Sequence, residues 1–372
     1  MKLKNTILNF LYNSTGWKTK RKLIVIASDD WGGIRVASAK ASAKLTAAGI
    51  TMDSNRFNKF DVLESNDDME LLLAVLSKHK DFKGNNAVMT ALTNVANPDF
   101  DKIREGGFSD FYYERFTETL KRYPNHDNVY NLYRLGIANG IFIPEFHGRE
   151  HVNIQRWMHA LQQGHINSRL GFDHQFFMMD SKDLLPEIKK SFGPAFDVDS
   201  PDEIESHKRI ITDGLNIFHE LFGYKATLFT APSLLYNNGL DQTLSENGIA
   251  LIDVKKYNKM PMGNGQSKSA FFPFGKTNNT GQHYIQRNAV FEPNLYETND
   301  TVDSCLSEIA AAFRHNKPAI ISNHRVCFSG GIDLKNRDKS LSALDSLLRQ
   351  ILEKWPDAEF IPASQLQTIM NR

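Results

Sequence analysis

Two adjacent carboxylates, Asp29 and Asp30, close the apolar run Leu23-Ile24-Val25-Ile26-Ala27, and Trp31-Gly32-Gly33 follow them. The run is short, branched and continuously apolar, as a strand covered on both faces should be, and the glycines stop it. Acids at the carboxyl end of such a strand stand where α/β folds place their chemistry. Taken alone, the pair also reads as a turn or a helix cap, where Asp is common. Further along come His147 and His151, four residues apart, directly after the apolar triplet Ile141-Phe142-Ile143. On a helical turn that spacing puts both imidazoles on one face, able to grip one metal ion. Two histidines and one carboxylate with an open fourth position make the pattern of a catalytic divalent-metal site. His324 ends a third apolar run, Ala319-Ile320-Ile321-Ser322. By itself it reads as a satisfied surface histidine. As the third cluster at a strand's carboxyl end, it reads as an acid–base residue.

These clusters need a scaffold that brings strand ends together. Strand-like runs recur at 23–27, 87–92, 141–143, 226–230, 250–253, 319–322 and 359–361. Helical patterns separate them at 38–48, 68–79, 202–222, 240–247, 302–316 and 340–354. In the helix at 68–79, Met69, Leu72, Leu73 and Leu76 share one face. Alternation of strand and helix argues for parallel βα units. About seven units without a dinucleotide fingerprint fit a distorted (β/α) barrel better than a doubly wound sheet. In such a barrel all carboxyl ends share one face, so the acids and histidines should converge. Two segments interrupt the alternation. Residues 99–140 are polar and aromatic, with Phe108, Phe111, Tyr112, Tyr113 and Phe116 close together, and read as a rim excursion with a small local core. Residues 257–298 are rich in Gly, Asn and Pro and read as a second rim excursion. The Gly263–Lys268 stretch lacks the Gly-Lys-Ser/Thr ending of a phosphate loop.

The chain has 372 residues, 41% of them hydrophobic and 23% charged, as in an ordinary globular protein. A net charge of +1 gives no argument for nucleic acid as a partner. No stretch is long and apolar enough to span a bilayer. Residues 1–21 read as a short leader helix rather than a signal peptide, because Asn9 and Asn13 interrupt its apolar patch. That patch is Lys-flanked, so an interfacial contact with a membrane is the weaker expectation. Cys305 and Cys327 cannot build a disulfide framework, and a reducing cytoplasm is the expected compartment.

The motifs in this order resemble the polysaccharide deacetylase family, metal-dependent carbohydrate esterases with a NodB-type homology domain. Ser28-Asp29-Asp30 is similar to its first motif, His147 to His151 to its second, and Ile320-Ile321-Ser322-Asn323-His324 to its fifth. The resemblance runs from about Lys22 to the C-terminus and makes residues 22–372 one barrel domain. Two motifs depart. Thr230 stands before Ala231-Pro232, where the third motif carries an Arg that orients the catalytic base. Asp253 lacks the Trp that follows the Asp of the fourth motif. Arg149, Arg325 and Arg35 are then the candidates to hold the base.

The resemblance implies a divalent metal, zinc, held by Asp30, His147 and His151. It implies Asp29 as the base that takes a proton from water, and His324 as the acid that protonates the leaving group. Asp253 is expected to hydrogen-bond His324 and keep it protonated, and a backbone N–H within 230–234 to stabilise the oxyanion. The substrate would be an acetylated sugar or glycan. Two other readings stand beside this one: hydrolysis of a C–N bond in a small amide or imide, and a carbohydrate-binding barrel without turnover.

Overall fold

A computed structural model describes residues 12–295 and 301–371. Nine parallel strands form the main sheet: β1 (Lys22–Trp31), β2 (Met89–Thr93), β3 (Phe142–Phe146), β4 (Leu228–Thr230), β5 (Leu251–Asp253), β6 (His283–Ile285), β7 (Ala289–Val290), β8 (Ala319–His324) and β9 (Ala358–Phe360). Their spatial order is β6-β5-β4-β3-β2-β1-β8-β7, with β9 also paired to the start of β1. From β1 to β6, and again from β7 to β8, sequential strands are neighbours, and the sheet curls into a distorted (β/α) barrel. Among the described residues no ladder joins β6 to β7. Just before β7, Asn288 ties the chain to β8 and the N-terminal segment, donating to Asn13 Oδ1 and the Pro318 carbonyl (both 2.9 Å) and accepting from Ile320 N–H (2.8 Å).

Period-two alternation along β1 explains both faces of the wall. Leu23, Val25 and Ala27 turn inward with Leu92, Leu228, Leu251 and Ile320, and Ile361 and Leu366 join them from the chain's C-terminal end. Ile24 and Ile26 turn outward beneath helices that contribute Leu72, Leu76, Leu344 and Leu348. Gly136 marks a close approach in this outer layer, since a Cβ there would stand 2.6 Å from Phe142 Cβ.

All seven strand-like runs become strands. The two excursions are smaller than the sequence implies. In the first, residues 96–98 and 113–115 form an antiparallel pair, but Val129–Ala138 is a wall helix packed on β3. Its aromatics build core: Phe108 packs on Phe172, Phe111 on Trp157 and Phe116 on Tyr133. In the second, only the hairpin Tyr257–Gly263/Gln266–Phe271 stands off the barrel. The remainder supplies β6 and β7, strands of three and two residues that no apolar run of useful length announces. Most of the expected leader helix, residues 1–11, lies outside the described residues. From Thr15 the chain lies on the barrel, with Trp17 N–H donating to the Phe274 carbonyl and Lys317 Nζ to that of Thr15 (both 2.7 Å). No helix among the described residues is long and apolar enough to cross a membrane.

Candidate metal and proton-transfer site

The register of the barrel assembles the site. Asp29 and His324 are paired positions on β1 and β8, and Thr230 pairs with Asp253 across β4 and β5. Beyond Asp29 the ladder between β1 and β2 slips by a bulge, and Asp30 adopts φ = +75°, a left-handed backbone that Asp tolerates better than most residues. Gly32, at φ = +71°, completes the turn, where a Cβ would lie 2.5 Å from the Asn94 carbonyl oxygen. The turn lifts the Asp30 carboxylate away from that of Asp29, so the adjacent acids face different partners.

Asp30 Oδ1 stands 3.3 Å from Nε2 of both His147 and His151. The three side chains offer ligand atoms all within 4.8 Å of one another. The histidines do not share a helical turn. They lie in the loop after β3, which Gly148 bends at φ = +114°, so the loop and not a 3.6-residue period brings the rings to 5.3 Å. His147 Nδ1–H donates to the Thr230 carbonyl (2.8 Å), which fixes the tautomer and leaves the Nε2 lone pair free. That Nε2 is buried without a hydrogen-bond partner among the described residues. Burial pushes the Asp30 carboxyl up, but the close His147 and His151 imidazoles and the nearby charge of His324 hold it well below the usual range. An ionised carboxylate and an orphaned imidazole nitrogen are the donor forms a divalent cation needs, so the residues fit one.

Asp29 faces a cation that the sequence does not single out. Arg287 donates to both its oxygens, Nη2 to Oδ1 at 2.7 Å and Nη1 to Oδ2 at 2.9 Å, and its Nε donates to Asp253 Oδ2 at 2.7 Å. This corrects two expectations. Asp29 is held by none of Arg149, Arg325 and Arg35: Arg149 pairs with Glu150 and Asp213, Arg325 with Asp61 and Glu64, and Arg35 with Asn58. Asp253 binds Arg287 and Thr230, not His324. The reason is position, since Asp253 ends β5 while His324 ends β8 on the far side of β1. The carboxylate bonded to His324 is Glu292, whose Oε1 accepts from Nδ1 at 2.5 Å. Arg56 and the Cys327 thiol donate to Oε2 of the same Glu292. Burial lowers the affinity of His324 for its proton, but Glu292, Asp29 and Asp30 outweigh this and raise it above the ordinary histidine value. His324 and Arg56 in turn draw Glu292 down to about 2 against its burial. His324 Nε2 points back to Asp29 Oδ2 at 3.6 Å, and its side chain remains 24% exposed.

Behind these groups lies a buried charge network. Glu64 accepts from the Gly32 N–H (3.0 Å), the Tyr133 hydroxyl (2.5 Å) and Arg325 Nη1 (2.8 Å), and Arg325 also holds Asp61 with two bonds of 3.1 Å. One network thus braces both the Asp30 turn and the residue after His324. In front is a cleft of about 380 Å³ lined by Arg35, His151, Met178, Ser191, Pro194 and Ser233. Within the 230–234 turn, the Leu234 N–H already donates to the Ala231 carbonyl (2.7 Å), and Pro232 has no N–H.

No known family profile and no curated protein matches the sequence. The fold, by contrast, resembles solved structures. It superposes on a glycoside hydrolase/deacetylase from Parabacteroides distasonis with a TM-score of 0.51 and 6% identity, covering 95% of this chain and 72% of that one. The chain shares the distorted (β/α) barrel fold of that protein. Polysaccharide deacetylases from Pseudomonas aeruginosa PAO1 (TM-score 0.46, 11% identity, 94% and 91% covered) and Mycobacterium smegmatis (0.44, 12%, 96% and 93%) are also similar. On this barrel, Asp29, Asp30, His147, His151 and His324 come together at one face, and Asp253 joins them through Arg287. Sequence reasoning missed Arg287, Glu292 and Arg56. Arg287 and Glu292 flank strands of only three and two residues, whose apolar runs are too short to place them on a barrel wall.

Proposed function

We propose that this chain is a divergent polysaccharide deacetylase: a metal-dependent hydrolase that removes an acetyl group from a sugar or glycan. The observation that carries the reading is the juxtaposition of an Asp30–His147–His151 cluster with two proton-handling groups, Asp29 and His324, each held by its own buried counter-charge. Asp30, His147 and His151 would hold the metal, and their mixed nitrogen and oxygen donors suit zinc. A bound divalent ion supplies an acidified water and polarises the acyl oxygen.

The remaining chemistry belongs to the chain. Asp29, clamped in a bidentate fork by Arg287, cannot rotate and takes the proton of the attacking water. His324, kept charged by Glu292, gives its proton to the departing nitrogen or oxygen. The products are acetate and the deacetylated sugar. Asp29→Asn tests this division of labour. It should keep bound zinc and lose acetate release by ~10²–10⁴-fold. An Asp29→Asn protein that retained most of its activity would show that the proton goes elsewhere.

A further inference from the structure

The buried cations around the site differ in one respect. Arg56, Arg287 and Arg325 each have a carboxylate within salt-bridge distance. Arg35, half-buried beside them, has none within 4.0 Å among the described residues. Its Nε and Nη2 both donate to the single amide oxygen Asn58 Oδ1, at 3.1 and 3.0 Å. The guanidinium is nonetheless fixed in place. It lies 4.9 Å from the centre of the Phe57 ring, which Arg56 also faces at 4.6 Å and which meets His324 edge to face at 5.1 Å. Arg35 lines both the small gap beside Asp30 and the 380 Å³ cleft that opens past His151. Burial lowers the proton affinity of Arg35, while Asp30 and Asp61 sustain its charge from a distance. An oriented guanidinium without an ion-pair partner, facing a cleft, is costly unless something anionic meets it there. Arg is the side chain that receives planar or tetrahedral oxyanions by paired hydrogen bonds.

We infer that Arg35 is a specificity-determining residue and that the sugar entering this cleft carries an anionic group, a carboxylate or a phosphate, which Arg35 binds beside the metal cluster. The inference takes from the proposed function only that the cleft receives a sugar.

Three sugars that differ only at C6 test it: N-acetylglucosamine, its uronic acid and its 6-phosphate. Binding is measured by calorimetry on zinc-loaded full-length protein carrying Asp29→Asn to prevent turnover, with Arg35 intact or changed to Gln or Lys. The expected result is a roughly 10- to 100-fold lower Kd for one or both anionic sugars than for the neutral one. The preference should collapse in Arg35→Gln and return in part in Arg35→Lys, with melting curves showing that each variant is folded. Preference for the uronate alone identifies a carboxylate, and for the 6-phosphate alone a phosphate. Equal affinities, no binding of either anionic sugar, or a preference that survives Arg35→Gln overturns the inference. Acetate release by the protein without Asp29→Asn is followed separately. Arg35-dependent binding without acetate release from any sugar would leave the anion site standing and remove the deacetylase reading.

Discussion

Arg287→Met removes the cation that bridges Asp29 and Asp253. Three bonds of 2.7 to 2.9 Å disappear, and both acids are nearly closed to water, with side-chain exposures of 8% and 3%. The two buried carboxylates then lose the guanidinium they share, leaving Asp29 with His324 at 3.6 Å and Asp253 with the Thr230 hydroxyl at 3.3 Å. Breaking a buried ion pair in this way costs about 3–5 kcal/mol, a large part of the roughly 5–15 kcal/mol that holds a typical domain together. Catalysis should suffer more than stability, because Asp29 loses the fork that aims it. A drop of ~10²–10⁴-fold in acetate release is expected, the range for a misplaced general base. Arg287→Lys separates the two effects. One ammonium restores charge, and with it most of the stability, but cannot span Asp29 and Asp253 with a planar fork, so activity stays at least ~10-fold low. Urea unfolding followed by tryptophan fluorescence reads the first effect and acetate release the second. An Arg287→Met protein within about 1 kcal/mol of wild type, the ordinary range for a point substitution, and fully active would refute the account of how the base is held.

The other predictions follow from the same contacts. Glu292 holds a charge beside His324 and raises its proton affinity, so the acid form survives to higher pH and is lost as pH rises through that raised value. Glu292→Gln should therefore move the alkaline limb of the pH–rate profile to lower pH by about one unit or more. A limb that stayed in place would mean that another group sets it. Glu64→Gln leaves every ligand intact but weakens the grip on the Gly32 N–H behind the Asp30 turn. Zinc affinity, read by competition with a chromophoric chelator, should fall by roughly 10- to 100-fold, as when an outer-shell partner is lost. Unchanged affinity would show that the turn holds itself.

Much of this architecture is written locally. β1 is legible because both of its faces are covered, which makes Leu23 to Ala27 apolar at every position. The helix over Asn66–Lys78 is legible because only one face is, and Ser65 caps it with a reciprocal bond to Asp68. β6 and β7 are not legible, because strands of three and two residues bury too little to leave a pattern, and their neighbours include the buried polar Gln286 and Glu292. Arg287 and Glu292 were hidden with them. Their partners lie 258 and 32 residues away, and only the closing of the barrel brings them together. His147 and His151 illustrate a different gap between sequence and structure. Spacing draws attention to the pair through helical geometry, yet a glycine-bent loop sets their approach. Asp253 meets Arg287 and not His324 because a sequence orders strand ends along the chain, whereas the barrel orders them around a ring.

The central claim is that Asp30, His147 and His151 hold one catalytic divalent ion. Elemental analysis of untagged protein, wild type beside His151→Ala, tests it most directly. The account predicts about one zinc-like ion per chain in wild type and its loss in a variant that remains folded by circular dichroism. No metal in either protein after zinc is supplied, or an ion retained in full by His151→Ala, would contradict it.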